Sequence, residues 1–243
     1  MQEVFEFIPQ KIALVISFRH PILEAVFMET FIMYKLYYSP AACSLAIHVI
    51  LREINAQFEA INTSLQEGKN QSPEFLKINP RGNVPVLDDN GAIIREGAAI
   101  ILHLLDNNAN TLLPASGLER TRAIEWLMFG NSTLHANYSK AFMLGRALPE
   151  GDAQKQAFQF IATVIQKNWD ELDSVLANQQ YLCGAHLTPA DILVSVIAHW
   201  NVWLPQLNIK LGKNVQRLVN EVVARPAYQQ ALAAENVVYQ QAA

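Results

Sequence analysis

Hydrophobic positions along this chain change period part-way. From Met33 to Asn107 strand-like and helix-like runs alternate; from Gly117 onward helical spacing prevails and strand signal is nearly gone. Tyr34–Tyr38 reads as a strand, Ser44–Ile54 as a helix with Leu45, Ala46, Val49, Ile50 and Ile54 apolar, and Gln57–Asn62 as a second strand. Ser72-Pro73-Glu74 opens a short helix, with Ser72 as N-cap and proline in the first turn. Val84–Leu87 and Ala92–Arg95 flank Asp88-Asp89-Asn90-Gly91, and Asn-Gly is a strong hairpin signal. Gly97–Asn107 returns to helix, with Ile100, Ile101, Leu104 and Leu105 on one face. The order βαβ, hairpin, helix describes a small α/β unit.

Thr111-Leu112-Leu113-Pro114 reads as a linker with apolar anchors. Beyond it the periodicity predicts helices over Leu118–Leu144, Ala153–Ala177, Pro189–Trp203, Leu211–Ala224 and Pro226–Ala233. Thr188-Pro189-Ala190-Asp191 places threonine at an N-cap, proline at the first helical position and aspartate at the third. The boundaries expected are 33–110 for an α/β domain and 117–238 for an all-helical one. The apolar run within residues 1–32 stops at Arg19-His20-Pro21, far short of a bilayer span, and Met33 stands immediately before the first convincing strand, so these residues read as an extension outside the functional core.

With 243 residues, 51% of them hydrophobic and 16% charged, the chain can bury a real core and is not disordered. A net charge of -4 offers no basic footprint for nucleic acid. The two cysteines, Cys43 and Cys183, are too few for a disulfide framework and too far apart for a CxxC pair, which favours a reducing, cytoplasmic compartment. The histidines do not cluster with cysteines or carboxylates at metal-ligand spacing, so no metal is expected.

Cys43 carries the sharpest chemical signal. It stands where a helix begins, facing unpaired N–H groups and the positive end of the helix dipole, both of which favour thiolate. A free cysteine that is simply a small buried hydrophobe fits the local pattern equally well. Thiolate formation alone would gain little. Lowering a thiol pKa from about 8.5 to about 6.5 raises the thiolate fraction roughly 25-fold, but falling nucleophilicity leaves about threefold. Holding two reactants together supplies far more.

Lys35-Leu36-Tyr37-Tyr38-Ser39-Pro40-Ala41-Ala42-Cys43-Ser44-Leu45-Ala46 resembles the opening of bacterial, beta-class glutathione S-transferases. Ile78-Asn79-Pro80-Arg81-Gly82-Asn83-Val84-Pro85-Val86-Leu87 is similar to that family's cis-proline segment, and Arg95-Glu96-Gly97-Ala98-Ala99-Ile100 to its glutamyl-binding turn. Ile124-Glu125-Trp126-Leu127 with His135, Tyr181-Leu182-Cys183-Gly184 with the Thr188–Asp191 helix start, and Arg225-Pro226-Ala227-Tyr228 follow in the family's order. The colinear match runs from Met33 to about Glu235.

The resemblance implies a thioredoxin-like N-terminal domain followed by an all-helical C-terminal domain. It implies a homodimer that conjugates glutathione, as co-substrate, to small hydrophobic electrophiles in detoxification. Val84 beside a cis Pro85 would pair with the tripeptide backbone as one more strand. Glu96 would meet the γ-glutamyl ammonium, and the Gly97 end of the helix its carboxylate. Cys43 and His135 would flank the glutathione sulfur. Lys69 is the candidate for the glycyl carboxylate, although ungapped matching gives Glu67 there. Met128, Phe129, Trp200 and Trp203 are candidates for the electrophile pocket. Cys183 reads as structural.

Two departures stand out. Gly97 replaces a serine common in relatives, and Ala136 replaces a lysine after the histidine. A disulfide reductase using Cys43, or a non-catalytic ligand-binding module on the same fold, are the alternative readings.

Overall fold

Alternation in Tyr34–Tyr38 (β1) turns Tyr34, Leu36 and Tyr38 into the core and leaves Lys35 and Tyr37 partly exposed. A computed structural model of the chain describes residues 33–240, and the expected extension over 1–32 lies outside the described residues. Helix α1 (Ser44–Glu53) is buried along nearly its whole length, and β2 (Phe58–Asn62) pairs parallel with β1. Pro73–Ile78 (α2) is capped as expected, with the Phe75 N–H donating to Ser72 Oγ at 3.2 Å. Strands β3 (Val86–Asp89) and β4 (Ala92–Arg95) form the hairpin. Asn90 and Gly91 lie at φ +52° and +92°, the left-handed pair that a two-residue turn of matching twist needs. The sheet order is β2-β1-β3-β4, with only the β1–β2 pair parallel. Helix α3 (Gly97–Asn107) then packs against α1.

Strand β3 starts at Val86, not at Val84 as the apolar run predicts. Proline has no N–H for the ladder, so Val84-Pro85 stays outside it. The Val84–Pro85 bond is cis.

Leu112 and Leu113 anchor the connection to the helical half, and Asn110 Oδ1 accepts both of their N–H groups. The expected long helix from Leu118 divides into α4 (Gly117–Met128), a π-helical turn (Phe129–Leu134) and α5 (His135–Ala147). Gly130 explains the interruption: a Cβ there would stand 3.1 Å from Leu193 Cδ2. The chain presses against the neighbouring helix, and a turn carrying one extra residue accommodates the approach. There follow α6 (Asp152–Leu176), α7 (Pro189–His199) with a 3₁₀ turn over Trp200–Trp203, α8 (Lys213–Val223) and α9 (Pro226–Glu235).

One continuous apolar cluster runs through both halves, from Leu36 and Ile50 to Trp169, Ile197 and Tyr228. Helix α1 sits at its centre, with α3 on one side and α7 and α9 on the other. Arg225 closes the seam with a two-pronged contact to Glu53, at 2.6 and 2.8 Å. The turn before α1 is therefore shaped by both halves. Among the described residues no helix is long and apolar enough to cross a membrane.

Candidate active site

The turn that delivers Cys43 is held by a network of polar contacts. Ser39 and Ser44 bond reciprocally: the Ser39 N–H donates to Ser44 Oγ at 3.1 Å, and Ser44 Oγ donates to the Ser39 carbonyl at 3.2 Å. Ala41 takes a left-handed backbone, φ +55°, which is costly for a residue with a Cβ. Contacts from the far end of the chain sustain it. The Ala41 N–H donates to Glu235 Oε2 at 2.9 Å, and the Ala41 carbonyl accepts from Trp200 Nε1 at 2.9 Å. Glu235 Oε1 meets His48 Nδ1 at 2.9 Å, both side chains fully buried.

Cys43 follows as the residue capping α1, with no side-chain cap bond of its own. Its thiol donates to the Val84 carbonyl across 3.8 Å, so it lies directly against the cis-proline segment. The expectation of a thiolate-favouring site does not hold. Burial pushes the Cys43 thiol up to about 11; the Cys43 and Ser44 N–H groups pull the other way, and the nearby Glu96 carboxylate raises it further. Lost solvation outweighs the helix dipole. At pH 7 such a thiol is ionised in about one molecule in ten thousand.

The Val84 loop is braced from below. Fully buried Asn79 donates through Nδ2 to the Asn83 carbonyl at 2.8 Å, and Asn70 Nδ2 to the Gly82 carbonyl at 2.6 Å. Arg95 donates to the Ile78 carbonyl at 2.6 Å and to Asn79 Oδ1 at 3.2 Å. These contacts leave the Val84 N–H without a partner among the described residues, beside its carbonyl. An extended peptide lying alongside has a donor and an acceptor to pair with there.

Glu96 caps α3 at φ +71°, ψ 117°, a strained backbone for a side chain of its size. Its carboxylate reaches out to Arg81, at 2.6 Å, in an exposed pair. Gly97 stands over the proline: a Cβ added to it would lie 3.8 Å from Pro85 Cγ. Cys43, Val84, Pro85, Glu96 and Gly97 thus converge. Lys69 opens a 3₁₀ turn over Lys69–Gln71, its Nζ 2.6 Å from Glu67 Oε2, so the two positions weighed for the glycyl carboxylate pair with each other in the open.

His135 makes no hydrogen bond or ion pair with Cys43. It packs edge-on to Trp200 at 5.2 Å between centroids, and Trp200 holds Ala41. Burial lowers its pKa, so the imidazole is uncharged at neutral pH. Tyr138 and Phe142 also pack against Trp200, and Phe142 against Trp203, which is 42% exposed. Trp200 is core and positions the Cys43 turn, whereas Trp203 faces solvent. Phe129, expected at the same pocket, instead meets Trp126 edge-on at 5.3 Å. With Trp126, Glu171 and Cys183 it lines a separate cavity of about 470 Å³. Among the described residues no three His, Cys, Asp or Glu gather as metal ligands.

Comparison with known proteins places this arrangement. Residues 30–106 match the family model described as glutathione S-transferase, N-terminal domain. Glutathione S-transferase GST-4.5 of Xanthomonas campestris is 31% identical over 168 residues, spanning 68% of this chain and 81% of that protein. The chain belongs to the glutathione S-transferase family. GstA of Escherichia coli O157:H7, also a glutathione S-transferase, is 28% identical over 84% of this chain and 99% of its own length. Among solved structures, a sphingomonad glutathione S-transferase complexed with glutathione is 35% identical, with TM-score 0.71, over 84% of this chain and all of that one. BphK, a bacterial transferase solved as a ternary complex, is 34% identical with TM-score 0.72 over the same shares.

The glutathione S-transferase fold also brings in residues that sequence reasoning missed. Glu235 and Trp200 hold the turn before Cys43 from 194 and 159 positions beyond Ala41, and His48 meets Glu235 across 187. Arg81 was read only as part of a motif, yet it carries the charge that faces Glu96. No local pattern announces these pairings; the sole hint is a histidine, His48, on the apolar face of α1.

Proposed function

We propose that this glutathione S-transferase is of the bacterial beta type and joins the glutathione thiol to small hydrophobic electrophiles. The observation that carries the reading is the convergence of the Cys43 thiol, the Val84 backbone and the start of α3 on one groove. In this reading residues 33–110 form the glutathione-binding domain and 117–238 the domain that supplies the electrophile pocket. Val84 pairs with the cysteinyl backbone through its N–H and carbonyl. Glu96 holds the γ-glutamyl ammonium, exchanging its contact with Arg81, and the Gly97 end of α3 faces the carboxylate. Lys69 serves the glycyl end. Phe142 and Trp203 face the electrophile. The protein works as a cytoplasmic homodimer.

The state of Cys43 favours conjugation over thiol transfer. A thiol held up at about 11 is a hydrogen-bond donor rather than a nucleophile at neutral pH. Its S–H, now turned to the Val84 carbonyl, is placed to donate to the glutathione sulfur as negative charge develops there. His135, neutral through burial, is able to accept a proton. The chemistry needs no ionised Cys43.

The test is turnover of a chlorodinitrobenzene-type substrate by wild type and by Cys43→Ala. Conjugation that survives in the variant within about threefold fits this reading, since loss of one weak S–H bond costs well under 1 kcal/mol. Complete loss in Cys43→Ala, together with glutathione-dependent disulfide reduction by wild type, would replace it with the thiol-transferase reading. No turnover across an electrophile panel would refute it.

A further inference from the structure

The π-helical turn Phe129–Leu134 does more than relieve the crowding of Gly130 against α7. It turns Asn131, the next residue, toward the β/α half. A Cβ built on Gly97 would meet Asn131 Oδ1 at 3.4 Å and Pro85 Cγ at 3.8 Å, so this carboxamide occupies the space over the first residue of α3. Asn131 is half-buried, and its carboxamide has no hydrogen-bond partner among the described residues. A carboxamide offers two donors and an acceptor, and here they remain open to solvent, free to exchange water for a ligand. Neighbouring Ser132 turns back on its own helix instead, donating to the Met128 carbonyl at 2.7 Å. Asn131 instead presents its carboxamide to the start of α3. π-Helical turns of this kind recur at functional sites.

We infer that Asn131 is a glutathione-binding residue, whose carboxamide grips the γ-glutamyl end of the tripeptide at the start of α3. The inference rests on the proposed glutathione site and adds to it a contact from the helical half. Gly97 brings only its backbone N–H to that place, where relatives often have a serine hydroxyl. Asn131 Nδ2 supplies the missing donor to the γ-glutamyl carboxylate. Because the residue comes from the turn leading into His135, filling the γ-glutamyl subsite fixes the helical half against the groove.

The experiment is calorimetric binding of two ligands to the full-length chain. One is glutathione; the other is γ-aminobutyryl-cysteinyl-glycine, which lacks only the γ-glutamyl carboxylate. Asn131→Ala is expected to weaken glutathione about tenfold, as for loss of a hydrogen bond to a charged group, and to bind the analogue within twofold of wild type. Asn131→Asp keeps the shape and sets carboxylate against carboxylate, so it weakens glutathione further. In turnover both variants raise KM for glutathione while kcat at saturating glutathione stays within twofold. Equal affinity of wild type and Asn131→Ala for glutathione would overturn the inference and leave the site reading intact. An equal loss for both ligands would also overturn it, marking a packing role. Failure of wild type itself to bind glutathione would remove the inference together with the reading beneath it.

Discussion

Two kinds of helix start coexist in this molecule. Helix α7 begins in a closed arrangement: Asp191, fully buried, accepts the Thr188 N–H at 2.8 Å, the Thr188 hydroxyl at 2.7 Å and the Leu182 N–H at 2.8 Å. Helices α1 and α3 begin with Cys43 and Glu96, and neither side chain caps its helix. The closed start satisfies its donors from within and pins a surface turn to the core. The open starts leave their first N–H groups without a side-chain cap and borrow rigidity from elsewhere: Glu235 and Trp200 clamp the turn before α1, and Arg81 pairs with the residue before α3. In the proposed reading, stability and binding fall to different helix ends. Substitutions at the two kinds of start should have opposite signatures.

The largest expected effect is at the closed start. Asp191→Ala strands two backbone N–H groups and should cost about 3 kcal/mol in urea unfolding, while the folded fraction binds glutathione within twofold of wild type. The same carboxyl gives a pH signature. Burial raises it to about 6, above the value near 3.9 of an unfolded chain. Between those values the folded state binds more protons than the unfolded one, so this group makes stability fall as pH rises from about 4 to about 6. The loss across that window is about 3 kcal/mol, flat above it. Asp191→Asn should abolish that slope in pH-dependent melting; an unchanged slope would mean that another group carries it.

At the open start of α3 the signature reverses. Glu96→Gln should weaken glutathione about tenfold by calorimetry and change stability by less than about 0.5 kcal/mol, because the Arg81 pair it gives up is exposed. A large stability loss with unchanged affinity would collapse the distinction between the two kinds of start. The smallest effect is chemical. With its thiol near 11, Cys43 should be alkylated slowly by iodoacetamide at pH 7, the rate climbing about tenfold per pH unit until pH 10. A plateau already at pH 7 would show that the helix dipole overcomes burial.

Much of this was legible in the chain. Thr188-Pro189-Ala190-Asp191 and Asn90-Gly91 state their local geometry outright, and the alternation in Tyr34–Tyr38 orients the first strand. The groove's own residues came through resemblance, since Cys43, Val84 and Gly97 are 54 positions or fewer apart and sit on recognisable turns. What stayed hidden depends on distant packing. The Glu235 contact to Ala41 spans 194 residues, and the charge state of Cys43 is set by lost solvation rather than by its place at a helix end. Asn131 escaped because periodicity assumes 3.6 residues per turn, and the π-helical turn that aims it breaks that count.

A crystal structure of the protein soaked with glutathione tests the central claim most directly. The account predicts the cysteinyl backbone paired with Val84, the γ-glutamyl group between Glu96, Gly97 and Asn131, and the ligand sulfur in contact with Cys43 Sγ. Glutathione bound away from Val84, or a Cys43 thiol that the tripeptide sulfur does not reach, would contradict it.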